Sequence, residues 1–292
     1  MLKLATEVFD WNHLSHYQAD LFVIGSIEFG LYAPTNLHFD QLESAVIALS
    51  RVNKPVALRV DRIMQEDDLL LLEQYLHHCQ LLHFDYVIYS DMAVYAILSE
   101  LGFKGQLIFN AKTLNCSSQD ARFYQSKGID IVISHELPLD DLISISHVGN
   151  VCIEGYAHSL IFYSKRQLLS SYREKYQLTP LEGTSIFKMQ ERTTKGLYFG
   201  VENNDGTLIY NQQRYAIYQE LPALHEAIFF FINPHFMKEE DLLAILSIYH
   251  KAITSQPTQA GYDSLLTHYP YTTSGFLYRK PLILEEGQNE KN

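Results

Sequence analysis

Six short runs between the N-terminus and about residue 157 are almost wholly apolar and recur at regular intervals. They are Leu21–Gly25, Pro55–Val60, Tyr86–Tyr89, Leu107–Asn110, Ile129–Ser134 and Val151–Ala157. A strand with no polar face must be covered on both sides, which is the situation of a parallel strand inside a helix-wrapped sheet or barrel. Helical patterns separate the runs. Phe39–Ser50 places Leu42, Ala45, Val46 and Leu49 on one face, and Glu66–Leu82 does so with Leu69, Leu72, Leu76 and Cys79. Repeated strand–helix units of this length predict an α/β chain, a TIM-like (β/α) barrel. An N-terminal strand, Leu2–Glu7, nearly closes it, and Ala227–Ile232 followed by a helix over Lys238–Ile253 completes it.

Between these parts the character changes. Gly183–Arg192 and Gly196–Asn211 read as antiparallel strands, the latter turning at Asn203-Asn204-Asp205-Gly206, where Asn, Asp and Gly tolerate positive φ. The expected organisation is one barrel domain over 1–284 with a β-rich insertion at about 173–220, and a polar, disordered tail at 285–292.

Composition narrows the class. With 292 residues and 47% hydrophobic content the chain can fill a barrel-sized core. The most apolar run, Ala227–Ile232, is far too short to span a bilayer, and the N-terminus shows no export signal, so a cytoplasmic protein without a membrane partner is expected. A net charge of −12 opposes a broad grip on nucleic acid. Between Lys165 and Lys195, however, seven basic residues stand against three acidic ones, a local net of +4. The three cysteines, Cys79, Cys116 and Cys152, lack the spacing of a disulfide framework or a zinc knuckle.

In a βα barrel, chemistry is carried at the C-terminal strand ends. Those positions hold Glu28, Arg59 with Asp61, Asp91, Asn110 with Lys112 and Thr113, His135 with Glu136, and Glu154 with His158. Asp91 and Glu136 are equally suited to helix starts. Other motifs fail. Gly25–Gly30 has no following Lys-Ser/Thr for a phosphate loop, His135-Glu136 lacks the second histidine of a zinc helix, and there is no GxSxG elbow. The run from Glu154 through His158 into Ser164 and Arg166 brings a carboxylate, an imidazole and a guanidinium onto one segment. It is equally a site for an anion and a proton, or a salt-bridged scaffold.

Three separated segments resemble the U32 family, whose members are labelled collagenase-like peptidases and include proteins required for RNA base hydroxylation. In Leu107–Leu142, Asn110, Thr113 and Asn115 match a first element and Ser134, Glu136 and Leu137 a second, with His135 where an Arg is usual. In Val151–Tyr172 the family signature is matched by Glu154, His158, Tyr163, Ser164, Arg166, Leu168 and Leu169, and Thr273–Tyr278 resembles a C-terminal Gly-Phe segment. The resemblance implies a site with Glu154 and His158 in catalytic positions and Asn110, Thr113, Glu136, Ser164 and Arg166 binding substrate, without a metal. It also implies cysteines near Ile161 and at Gln167 as ligands of an iron–sulfur cluster. Those are absent here, so no cluster or other cofactor is expected. Ser159 stands for a usual Gly, Tyr32 and Asp61 lie where Arg and Asn are usual, and Phe231–His235 replaces a Lys-x-Glu-Gly-Arg-like run. The implied role is a cluster-less subunit in tRNA wobble-uridine 5-hydroxylation, with a longer, cysteine-bearing U32 homologue and tRNA as partners. The alternatives are the peptidase of the family label and a non-catalytic barrel that binds an anion through Arg166 and His158.

Overall fold

The computed structural model describes residues 2–193 and 195–279, so the tail expected at 285–292 lies outside the described residues. Seven parallel strands follow in order around a barrel wall: β1 (Lys3–Glu7), β2 (Leu21–Gly25), β3 (Val56–Val60), β4 (Tyr86–Tyr89), β5 (Gln106–Asn110), β6 (Ile129–Ile133) and β7 (Val151–Ser164). Helices α1 (Leu42–Ser50), α2 (Leu69–Leu81), α3 (Met92–Glu100), α4 (Ser118–Gln125) and α5 (Leu139–Ser146) connect successive strands from β2 to β7. The helix starts are chemically marked. The Asp91 carboxylate caps α3 by accepting from Ala93 N at 2.9 Å, and Ser117 with Asp120 forms a reciprocal cap on α4.

After α6 (Leu168–Lys175) come three antiparallel strands, β8 (Ser185–Gln190), β9 (Leu197–Asn203) and β10 (Gly206–Ala216). β11 (Phe229–Ile232) then inserts between β7 and β1, parallel to both, and closes an eight-stranded ring. Helices α7 (Glu239–Thr254) and α8 (Gln259–His268) and a short strand β12 (Thr272–Thr273), paired with β10, complete the described chain. The expected (β/α) barrel with additional antiparallel strands is the observed architecture.

One boundary is corrected. The strand expected to end at Ala157 runs on to Ser164, because β10 pairs antiparallel with it from Tyr156 to Ser164 and satisfies backbone groups that would otherwise face solvent. The antiparallel extension is thus rooted in β7 itself. The ladder is irregular between Ile209 and Arg214, where β10 turns across the barrel mouth. Gly206, with φ of 125°, ends the β9–β10 turn where a Cβ would lie 2.0 Å from the Ser164 carbonyl oxygen. An ion network holds the extension down. Arg62 lies 2.9 Å from Asp68 and 2.5 Å from Asp205, and Lys165 reaches Asp68 at 2.6 Å.

Alternation along the strands divides the apolar residues into two cores. Phe22, Ile24, Leu58, Ile131 and Ile153 face outward and pack with the helices in the larger cluster. Ala5, Leu21, Val23, Ala57, Ile88, Ile108, Val132, Cys152, Phe229 and Phe231 fill the barrel. At the N-terminal end of that filling, burial raises the Asp130 carboxyl on β6 to about 6. Its folded value lies above the unfolded one, so its contribution to stability is complete below about pH 4 and is lost as pH rises through 6. Asp130→Asn is therefore expected to stabilise the protein at pH 7 by roughly 2 kcal/mol and to flatten this part of the pH–stability curve, as read by denaturant unfolding between pH 4 and 8.

Candidate ligand-binding site

Continuing the inward parity of each strand by one step past the apolar filling changes the chemistry. Ala5 is followed by Glu7, Ala57 by Arg59, Ile108 by Asn110, Cys152 by Glu154 and Phe231 by Asn233. These five side chains line a cavity of about 60 Å³ at the C-terminal mouth of the barrel, together with Asp61, Lys112 and His235 from the loops and His158, Leu160 and Tyr210 from the extension. A volume of this size holds a few waters or one compact polar group.

Arg59 organises one wall. Its Nη1 donates to Asp61 Oδ1 at 2.8 Å and to the Leu31 carbonyl at 3.1 Å, its Nη2 donates to Asn36 Oδ1 at 2.6 Å, and its Nε lies 3.2 Å from Glu7 Oε1. Gly25 makes this approach feasible, since a Cβ there would sit 2.5 Å from Arg59 Nη2. Asp61 also accepts from Leu31 N at 2.8 Å and from Lys112 Nζ at 3.0 Å, and Thr35 donates to Glu7. Burial by itself raises the Asp61 carboxyl, but the adjacent Arg59 and Lys112 charges override it and hold the group far below the ordinary carboxylate range. Burial likewise disfavours the Arg59 charge, and Asp61 with Glu7 restores it.

The opposite wall carries two imidazoles. His158 is 2% exposed, and its Nδ1 is 3.0 Å from the Asn211 carbonyl, so Nδ1 bears the proton. The rings of Phe199, Phe236 and Tyr269 meet it edge-on at 5.2–5.4 Å between centroids. Burial, helped by the nearby Arg214 charge, pushes its pKa down to about 2. His235 donates from Nε2 to the Tyr32 carbonyl at 2.7 Å, and burial lowers its pKa too. His158 Nε2 and His235 Nδ1 are buried with no hydrogen-bond partner. Arg214, fully buried on β10, donates to the carbonyls of His235 at 2.9 Å and Asn233 at 3.3 Å, and its guanidinium lies about 5 Å from the ring centroids of Tyr156 and Tyr269. It therefore fixes the backbone of two cavity residues, one of which, Asn233, donates to Glu154.

The sequence-predicted residues divide. Asn110, Glu154 and His158 converge on the cavity, and Asn110 Oδ1 accepts from Lys112 N at 3.0 Å, holding Lys112 at its positive φ of 59°. Thr113 lines an adjoining groove. Glu136 is exposed at the start of the loop to α5, with its N–H donated to Ser134 Oγ at 3.1 Å. Ser164 and Arg166 do not join Glu154 and His158. Ten residues of extended strand separate Ser164 from Glu154, about 30 Å, and Ser164 Oγ accepts from Arg166 N in the turn beyond. An anion clamped jointly by Arg166 and His158 is therefore not formed, and His158 carries no positive charge to offer. Glu7, Asn233, His235, Tyr210 and Arg214 escaped strand-end reasoning, although the parity of β1 and β11 marks Glu7 and Asn233.

The thiols are apart from the cavity chemistry. Cys152 packs inside the barrel, Cys79 lies buried on α2 and Cys116 is exposed before α4. Burial pushes the Cys79 thiol up to about 12 and the Cys152 thiol well above its ordinary value. Among the described residues no three His, Cys, Asp or Glu side chains are placed to hold a metal ion, and no helix is long and apolar enough to cross a membrane.

A closed (β/α)8 barrel with a polar, largely buried cavity at its C-terminal mouth, roofed by an antiparallel extension, is the class of protein these features define. The profile of Peptidase family U32 matches residues 9–283, and the chain belongs to that family. Among solved structures it is similar to the U32 peptidase Mk0906, with 14% identity, a TM-score of 0.45, and 55% of this chain and 70% of that one covered. It is also similar to a glycerol uptake operon antiterminator-related protein from Thermotoga maritima (14%, TM-score 0.32, 53% and 84% covered). A third similar structure is a chitinase from Chromobacterium violaceum (9%, TM-score 0.39, 87% and 98% covered). None of the curated protein sequences matches the chain.

Two outcomes follow from the electrostatics. The His158 imidazole is expected to show no titration between pH 4 and 8 by NMR, because protonation would place a charge in an apolar cage beside Arg214. Asp61→Ala should destabilise the fold by about 3 kcal/mol or more in denaturant unfolding, because it leaves Arg59 buried with half its compensation removed.

Proposed function

We propose that this U32 protein acts as a cluster-less subunit or accessory factor in 5-hydroxylation of the tRNA wobble uridine, working with a longer, cysteine-bearing homologue. The observation that carries the reading is a built polar cavity at the C-terminal mouth of a U32 barrel, in a chain whose three cysteines lie apart, on α2, in the loop before α4 and on β7. Cluster chemistry, on this reading, belongs to the partner, and this chain contributes ligand or substrate recognition. Contact with RNA is supported by the basic stretch on and around α6 and β8. There Arg166, Arg173, Lys175 and Lys188 accompany the exposed rings of Tyr172 and Tyr176, 57% and 54% exposed.

The peptidase reading has less behind it. A nucleophile needs a base or a lowered pKa. The Cys152 thiol is fully buried and shifted the wrong way, and the Thr6 hydroxyl on the cavity wall donates to the Ile232 carbonyl at 2.9 Å.

Mass spectrometry of tRNA nucleosides in a strain lacking the gene is expected to show loss of 5-hydroxyuridine-derived modification, restored by the wild type and not by His158→Ala. Affinity capture with the tagged chain should recover the cysteine-bearing homologue. Unchanged hydroxylation together with capture of no homologue would remove the proposal. Cleavage of unfolded collagen by wild type, abolished in a Glu154→Gln, His158→Ala double variant, would install the peptidase in its place.

A further inference from the structure

The cavity does not end at its mouth. Leu31, Asp61, Asn110, Lys112 and Leu160 line both it and a second, outer groove of about 300 Å³, so the two spaces adjoin across these five residues. The groove is mostly apolar. Phe109 and Tyr163 contribute to its lining, and Ile63, Leu114, Ile161 and Phe162 form an exposed lip, Leu114 at 77% and Ile161 at 49% exposure. Apolar side chains gathered around the mouth of a polar cavity are the usual construction of a small-molecule site, with polar groups fixing one end and apolar surface burying the rest.

The inner end is specific about charge. Both cations on its wall are engaged, Arg59 by Glu7 and Asp61, and Lys112 by Asp61. Three carboxylates, Glu7, Asp61 and Glu154, share the lining with these two cations, and the resulting excess of negative charge opposes an incoming anion. Apart from Arg59 Nε, which faces Glu7, the cavity-lining groups without a hydrogen-bond partner are acceptors, the bare ring nitrogens of His158 and His235, residues only 2% and 8% exposed; in the groove the Tyr163 hydroxyl is also unpartnered. An acceptor buried without a donor is costly, and a ligand that donates to it recovers that cost. Burial keeps both imidazoles in the unprotonated form that can only accept at those nitrogens.

We propose that the adjoining cavity and groove together bind a small molecule with a compact, hydrogen-bond-donating head that carries no negative charge, joined to a ring-sized apolar body. The head takes the space between Glu154, His158 and His235, and the body lies in the groove against Phe109 and Ile161. The inference shares with the proposed tRNA role only the assignment of this cavity as the working site. Ligand binding is read on purified protein and hydroxylation in cells, so either can fail alone.

Three probes with one ring and different heads make the test: benzamide, benzamidine and benzoate, titrated into the full chain and followed by ligand-observed NMR. Benzamide and benzamidine are expected to bind saturably, with dissociation constants on the order of a millimolar for ligands this small, and benzoate at least tenfold more weakly. Ile161→Asp, a change at an exposed position, and His158→Phe, which keeps an aromatic ring in the aromatic cage, should each weaken benzamide binding at least tenfold. The proposal is overturned by benzoate binding as tightly as benzamide, by absence of binding of both donor probes at their solubility limits, or by benzamide affinity that is unchanged in Ile161→Asp.

Discussion

Side-chain alternation in a closed barrel wall is the constraint on which the rest of this protein depends. Eight parallel strands close without an edge, so every second residue must enter the interior whatever its chemistry. Over most of each strand that residue is apolar and the interior is filled. At the last inward position the filling stops and Glu7, Arg59, Asn110, Glu154 and Asn233 take over. The cavity is therefore a direct continuation of the core, and its polar groups inherit the core's low exposure.

That inheritance sets the electrostatics. A guanidinium and two carboxylates at this depth persist because each is bonded several times over, Arg59 to Asp61, Asn36 and the Leu31 carbonyl, and Asp61 to Lys112 and Leu31 N. The imidazoles meet the same burial by shedding their charge. Arg214 cannot shed its charge. It is instead sandwiched between tyrosine faces and backbone carbonyls, where it steadies the β11 end that carries Asn233 and His235. The antiparallel extension matters for the same reason. Through β7 and β10 it lays His158, Leu160 and Tyr210 over the mouth and excludes water from groups that would titrate normally in the open.

Much of this is legible in the order of residues. The apolar runs place seven of the barrel strands within a residue or two, because a strand covered on both faces has no room for polar side chains. The strand-end rule selects Arg59, Asp61, Asn110, Lys112, Glu154 and His158, all of which reach the cavity. The same rule also selects Glu136, which is exposed, and passes over Glu7, whose inward parity was the readable signal. Ser164 and Arg166 look adjacent to Glu154 in the sequence only because nothing local shows that β7 continues, and the partner that extends it, β10, begins some forty residues later.

The sequence by itself determined the barrel, its helical cover, the chemical kinds of group at its C-terminal rim and the lack of clustered cysteines. These depend on patterns of a few residues, which short-range sterics and burial translate into structure. Only the tertiary structure decided which of those groups meet, which imidazole nitrogens are left without a partner, and that the cations at the rim are already neutralised. Such facts rest on contacts such as His235 with Tyr32, 203 residues apart, and Thr6 with Ile232, 226 apart. Convergence at that range, and the desolvation that follows from it, exist only once the ring has closed.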